Sequence, residues 1–292
     1  MTAVESVRLA PLMRLSEGRP EIAIALIDGP VALSHPDLAG AAIRELEGEV
    51  SGGCRRADSP ACTHGTSVAG MLVARRGSVA PAICPGCTLL VRPIFAEAAG
   101  GHDTPSATPE QLAGAIAACV DAGARVINIS AAMIRSSLQG ERRLADALHY
   151  AAQRSALIVC AAGNQASVGS SVITSHSWVL PVAASNNQGR PLGYSNLGSS
   201  IGRRGLSAPG ENIATLGSDG KPRVFSGTSA AAPFVTGTIG LLWSEFPAAT
   251  ATDIRLAVTH SRKSRRETIT PPLLDSWAAY QTIARVHGRK AS

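Results

Sequence analysis

The chain has 292 residues, 45% of them hydrophobic and only 3% aromatic, with 29 Gly and 18 Pro, which is enough apolar surface for one large globular core. That composition excludes a disordered chain, a collagen-like repeat and a small disulfide-stapled peptide. The net charge of +6 comes without a basic stripe interleaved with aromatics, so nucleic acid is not an expected partner.

Residues 1–20 alternate charges with short apolar pairs and read as a short N-terminal extension without a secretory apolar core. No apolar run reaches the length of a membrane span, so no membrane partner is expected and the protein is expected to be cytoplasmic. Residues 21–286 read as one folded domain and 287–292 as a tail. Strand-length apolar runs at 22–27, 88–93, 125–129, 156–161 and 179–183 alternate with helix-period segments. Such runs lack a polar face, as strands do when helices cover both sides of a mostly parallel sheet, so the fold class is α/β.

Between the strands, a helix opens near His64, where Gly65, Ala69 and Gly70 permit close approach of another backbone. Thr108, Pro109 and Glu110 supply an N-cap, a first-turn proline and an early acid, after which Leu112, Ala115, Ile116, Cys119 and Val120 recur at helical spacing. Leu144, Ala147, Leu148 and Ala151 repeat that spacing over 141–154. Residues 186–226 turn to Gly, Ser, Asn and Pro, with a hairpin expected at 217–220. A helix apolar nearly all round follows over 228–246, and Pro233 requires its start to lie close to Ser229. The charged stretch 262–267 reads as a solvated loop and 273–286 as a closing helix.

Six cysteines are too few and too scattered for a disulfide scaffold. Cys84 and Cys87 have the spacing of half a zinc knuckle or of a redox pair, but no second pair completes a metal site, and a structural turn is the expected reading, with or without a disulfide to close it. Cys54 and Cys62 bracket a polar loop and can pair, whereas Cys119 and Cys160 sit in apolar runs as core thiols.

Four segments place a reactive side chain where an element begins or ends. Asp28 directly follows the first buried strand: alone, it is either a turn-former before Gly29 and Pro30 or a desolvated carboxylate that needs a partner. His64 at a helix N-terminus is favoured as a neutral proton acceptor unless a carboxylate compensates, although a capping or surface histidine reads the same way. Ser229 opens the apolar helix, either as an N-cap or beside free amides suited to an oxyanion. Asn164 ends a buried strand with a carboxamide donor, or is an ordinary turn residue.

Their order, with Asn164 between the histidine and the serine, resembles that of the subtilisin-like serine peptidases, or subtilases. The resemblance extends through Asn128-Ile129-Ser130, Ala162-Gly163-Asn164, Tyr194-Ser195-Asn196, Ala208-Pro209-Gly210, Ser226-Gly227-Thr228-Ser229 and Leu273-Leu274-Asp275, over roughly residues 21–286. Asp28-Gly29-Pro30-Val31, Ser34-His35-Pro36-Asp37, Ala61-Cys62-Thr63-His64 and Ile83-Cys84-Pro85-Gly86-Cys87 are most similar to the leader-processing proteases of cyanobactin-type peptide maturation.

The resemblance implies a three-layer subtilisin-like fold and a serine endopeptidase acting through Asp28, His64 and Ser229, with Asn164 in the oxyanion hole. Ser130, Ala131, Ala132, Ala162 and Gly163 would bind substrate, with no cofactor and no metal. It further implies a peptide or protein substrate, specifically a ribosomally made precursor whose leader is removed, with no large prodomain before the first strand. Alternative readings are a general intracellular protease, a catalytically inactive peptide-binding module in a biosynthetic complex, and a peptide ligase, which would need a lid to exclude water.

Three departures bear on this. Gly29 and Pro30 follow Asp28 where most of the family has Ser or Thr and then Gly, Ser67 stands where a histidine is frequent, and Ala131-Ala132-Met133 stands where Leu-Gly-Gly is common.

Overall fold

A computed structural model describes residues 1–97, 106–130, 138–260 and 268–288. Among the described residues, seven strands form one parallel sheet: β1 (Ala23–Asp28), β2 (Ile43–Glu45), β3 (Thr88–Pro93), β4 (Val126–Ile129), β5 (Leu157–Ala161), β6 (Val179–Ser185) and β7 (Leu206–Pro209), in the order β2-β3-β1-β4-β5-β6-β7. Every residue of β4, β5 and β6 is buried, which is why these runs carry no polar alternation. The chain builds leftward from β1 through β3 and then crosses to β4 on its other side. Strand order therefore reverses beside β1, and the crevice at the carboxyl ends of β1 and β4 is the place such sheets leave for a ligand.

The helices in chain order are α1 (Ala3–Ser6), α2 (Ala10–Leu15), α3 (Pro60–Val73), α4 (Pro109–Asp121), α5 (Leu138–Gln153), α6 (Val172–Ser175), α7 (Ser199–Arg204), α8 (Thr228–Glu245), α9 (Ala251–His260) and α10 (Ser276–Val286). One core lies on the α8 side of the sheet with α3, α9 and α10, and the other under α4 and α5, completing three layers. All residues of α8 from Thr228 to Ser244 are buried, Phe234 and Trp243 completely. Each such side chain contributes about 1.5–3 kcal/mol by leaving water. Helix α4 begins as its sequence dictates, with Thr108 accepting from the Gln111 amide and Gln111 accepting from the Thr108 amide.

The expected strands and the hairpin appear within a residue or two, the hairpin as β8 (Ile213–Leu216) paired antiparallel with β9 (Pro222–Phe225). Other features depart from expectation. Helix α3 starts at Pro60, so His64 is its fifth residue and sits a full turn inside. The short extension over residues 1–20 packs onto the domain: Val7, Leu9 and Leu12 are fully buried, and Arg8 holds Asp275 at 2.9 Å. Short β2 and β7, as well as α9, carry too little periodicity to be legible.

Cys84 and Cys87 are free thiols and do not close a disulfide. Their mutual hydrogen bond and burial hold Cys84 well above the ordinary thiol pKa. Cys54 and Cys62 are disulfide-bonded, and burial pushes the inert core thiols Cys119 and Cys160 up to about 12. The charged stretch 262–267 lies outside the described residues.

Candidate active site

Asp28 ends β1 fully buried, where a carboxylate needs polar partners. Its Oδ1 accepts the Gly29 N–H at 2.6 Å and faces His64 Nδ1 at 2.7 Å. Oδ2 has no hydrogen-bond partner among the described residues. The Gly-Pro departure supplies a reason: Pro30, next along the chain, has no N–H to offer.

Two glycines make the pairing possible. A Cβ on Gly29 would lie 2.1 Å from the Ala61 carbonyl oxygen, and one on Gly65 would lie 2.4 and 2.5 Å from the Gly29 and Pro30 carbonyl oxygens. The backbones of the β1 terminus and the first turns of α3 thus touch directly, which sets the Asp28 to His64 distance. Ser67, at the position of the frequent family histidine, is buried and donates to the Leu216 carbonyl at 2.9 Å, fastening α3 to β8.

The His64 side chain is one-third exposed and its ring meets Phe225 edge-on at 5.1 Å. Burial pushes its pKa down, but the charge and hydrogen bond of Asp28 outweigh this and hold it above the usual histidine value. The bond through Nδ1 orients the ring and leaves Nε2 as the atom free to exchange a proton.

Ser229 is the second residue of α8, nearly buried at 5% exposure, so it is not the N-cap. That place belongs to Gly227, whose φ of +121° few other residues would adopt. As a second-position residue, Ser229 has an amide without an intrahelical acceptor, and this N–H has no partner among the described residues. No hydrogen bond joins Ser229 Oγ to His64 among the described residues, so a proton passing between them requires the two to close up, as commonly happens when substrate binds.

Asn164 follows β5 and is exposed. Its Oδ1 accepts from both the Thr228 amide, at 2.9 Å, and the Thr228 hydroxyl, at 3.1 Å, and Thr228 Oγ1 accepts the Gly163 N–H at 3.1 Å. With its oxygen thus engaged, the carboxamide turns Nδ2 away from Thr228. Asn196 shapes the same loop from outside: its Oδ1 accepts the Gln165 and Ser167 amides, and its Nδ2 donates to the Ala162 carbonyl. Thr228 and Asn196 lie in motifs legible in the sequence, but their positioning roles appear only once the two loops are brought together.

Ala162 and Gly163 are buried at the carboxyl end of β5, Gly163 with φ +104°. Ser130 is buried just beyond β4, within 3.4 Å of the Asn128 side-chain amide, whose oxygen accepts from Thr236 on α8. Ala131 and Ala132 lie outside the described residues. Among the described residues the one group with metal-binding potential is Cys54, Cys62 and Glu97, and both sulfurs there are spent in the disulfide.

Beside His64 opens a cleft of about 670 Å³, with Ala57, Asp58 and Pro60 on one wall and the β9 residues Arg223, Val224 and Phe225 on the other. The Cys54–Cys62 disulfide closes the loop that carries the first wall.

The subtilase family profile matches residues 19–275. This chain belongs to the subtilase family of serine peptidases. Among solved structures it is similar to the protease domain of PatA, with a TM-score of 0.82, 30% identity and coverage of 94% of this chain and 98% of that one. It is likewise similar to the prenylagaramide maturation protease PagA, with a TM-score of 0.83, 27% identity and coverage of 97% and 99%. Mycosin-3 of Mycobacterium tuberculosis is 31% identical over 258 residues, 69% of this chain. The subtilase spans only 55% of that relative's length. Among the described residues, no helix is long and apolar enough to cross a membrane.

Proposed function

We propose that the protein is a serine endopeptidase that removes the leader from a ribosomally made precursor peptide. Asp28 holds the imidazole in one tautomer and stabilises its charged form, while His64 takes the Ser229 proton as Oγ attacks the scissile carbonyl. The oxyanion is received by Asn164 Nδ2 and the Ser229 N–H. His64 then protonates the departing amine, and a water activated by the same imidazole releases the acyl fragment. The observation that carries this reading is the 2.7 Å contact between buried Asp28 and His64 Nδ1, which prepares the ring for both proton transfers.

The substrate class rests on the likeness to PagA and to PatA, the one a prenylagaramide and the other a patellamide maturation protease. Cytoplasmic placement, expected from the sequence, meets one contrary observation in the Cys54–Cys62 disulfide, a bond typical of oxidising compartments.

A fluorophosphonate probe tests the acyl-transfer chemistry. Wild-type protein is expected to be labelled on Ser229, and Ser229→Ala to remain unlabelled. Folded wild-type protein that takes no label would overturn the enzyme reading in favour of a peptide-binding module. Mass-spectrometric mapping of the cut in a precursor peptide tests leader removal, which cleavage scattered through the core sequence would refute.

A further inference from the structure

The cleft beside His64 is not part of the oxyanion side of the site: Ser130, Ala162, Gly163 and Asn164 do not line it. It opens instead between the histidine and the hairpin strand β9. If His64 delivers a proton to the departing amine, the chain attached to that amine must leave past the imidazole, and the cleft is the open space there. The inference rests on the acyl-transfer reading and concerns which substrates it favours.

Strand β9 presents alternate side chains to one face, so Arg223 and Phe225 point the same way, about 7 Å apart along the strand. Phe225 lies against the His64 ring and Arg223 stands further out, with both lining the cleft. The charges around them are unequally engaged. Asp58 is paired with Arg56 at 3.2 Å, and Asp219 Oδ1 accepts the Lys221 amide at 3.2 Å. Arg223, exposed on its strand, has no ion pair among the described residues.

Facing walls hold this geometry: Thr63 and Ser218 share a hydroxyl contact at 2.7 Å, and Ser218 donates to the Ala57 carbonyl across the cleft. We infer that Arg223 is a specificity determinant, pairing with an acidic side chain at the second or third residue after the scissile bond, while Phe225 takes an apolar neighbour of that bond. An extended substrate rises about 3.3 Å per residue, which matches that span. The guanidinium fork suits a carboxylate better than any neutral partner.

The test measures binding and cleavage separately. Full-length Ser229→Ala protein is titrated with fluorescent peptides identical except for Glu, Gln or Lys at those two positions, and wild-type kcat/KM is measured on the same set. The Glu peptides are expected to bind and react about three- to tenfold better than Gln, as a partly exposed ion pair would give, with the advantage shrinking as salt rises. Arg223→Gln should erase the preference, Arg223→Lys should keep most of it, and Arg223→Glu should reverse it toward Lys. Equal binding of the three peptides, or a preference that survives Arg223→Gln, would overturn the assignment. If wild-type protein cleaved none of them, the acyl-transfer reading would fall, while the Ser229→Ala titration would still decide whether Arg223 selects a carboxylate.

Discussion

Replacing Gly65 by alanine isolates the contact that sets the distance between Asp28 and His64. Its backbone conformation is an ordinary helical one, so the substitution strains no dihedral and adds about 1 kcal/mol of helix propensity. The new methyl would nonetheless sit 2.4 and 2.5 Å from two carbonyl oxygens that belong to backbone and cannot rotate away. Relief to ordinary contact requires α3 to retreat from the β1 terminus by about 1 Å, with an overpacking cost of about 1–3 kcal/mol.

The same retreat stretches the 2.7 Å bond between His64 and Asp28 toward 3.7 Å, beyond hydrogen-bonding range. A misplacement of that size is expected to lower kcat/KM about 100-fold. Without the carboxylate beside it, the imidazole pKa falls, so the acid limb of the rate profile moves to lower pH. The assay is kcat/KM against pH on a cleaved peptide, with thermal melting to confirm folding. Gly114→Ala is the control, because its Cβ meets nothing within 4 Å, and it should retain activity while gaining up to about 1 kcal/mol. A Gly65→Ala enzyme with wild-type kcat/KM and an unmoved acid limb would refute the backbone-contact argument.

Other positions carry expected outcomes of their own. Asn164→Ala should lower kcat about 10²- to 10³-fold with little change in KM, and Thr228→Val, which removes one of two bonds to Asn164 Oδ1, should cost about tenfold while Thr228→Ser does not; single-turnover kinetics would show this. Because the His64 pKa is raised in the folded state, activity should climb through a midpoint above 6.5 as the imidazole deprotonates. The stability from its pairing with Asp28 runs the other way: it is full below the unfolded histidine pKa and lost as pH rises through the folded value. The melting difference between wild type and His64→Gln should therefore shrink from pH 5 to pH 9. Reducing the Cys54–Cys62 bond, which spans 8 positions, should cost about 2–3 kcal/mol and widen the cleft, read as a lower melting temperature and a higher KM that Cys84 and Cys87, already free, do not influence.

Local chemistry was legible wherever one segment carries its own signal. The Thr108 capping box, the unbroken apolar strands and the all-round apolar α8 each follow from spacing that the backbone must obey. The proline of Cys84-Pro85-Gly86-Cys87 announces a turn, but not whether its sulfurs bond, because thiol spacing along the chain does not fix the geometry a disulfide needs. Position 64 was recognisable as a chemically placed histidine, while its depth within α3 depended on Ser59 and Pro60 starting the helix earlier.

What the sequence determined by itself is therefore the alternation of buried strands and helices and the identity of the polar residues at their ends, since both arise from interactions among near neighbours. The tertiary structure alone decided which of those ends meet. The reversal of strand order beside β1 brings Asp28 against a helix that starts 32 positions later. The Thr228 contacts orient a carboxamide 64 positions earlier. Contacts of that separation are selected by the packing of the whole core, because no short stretch of chain contains both partners.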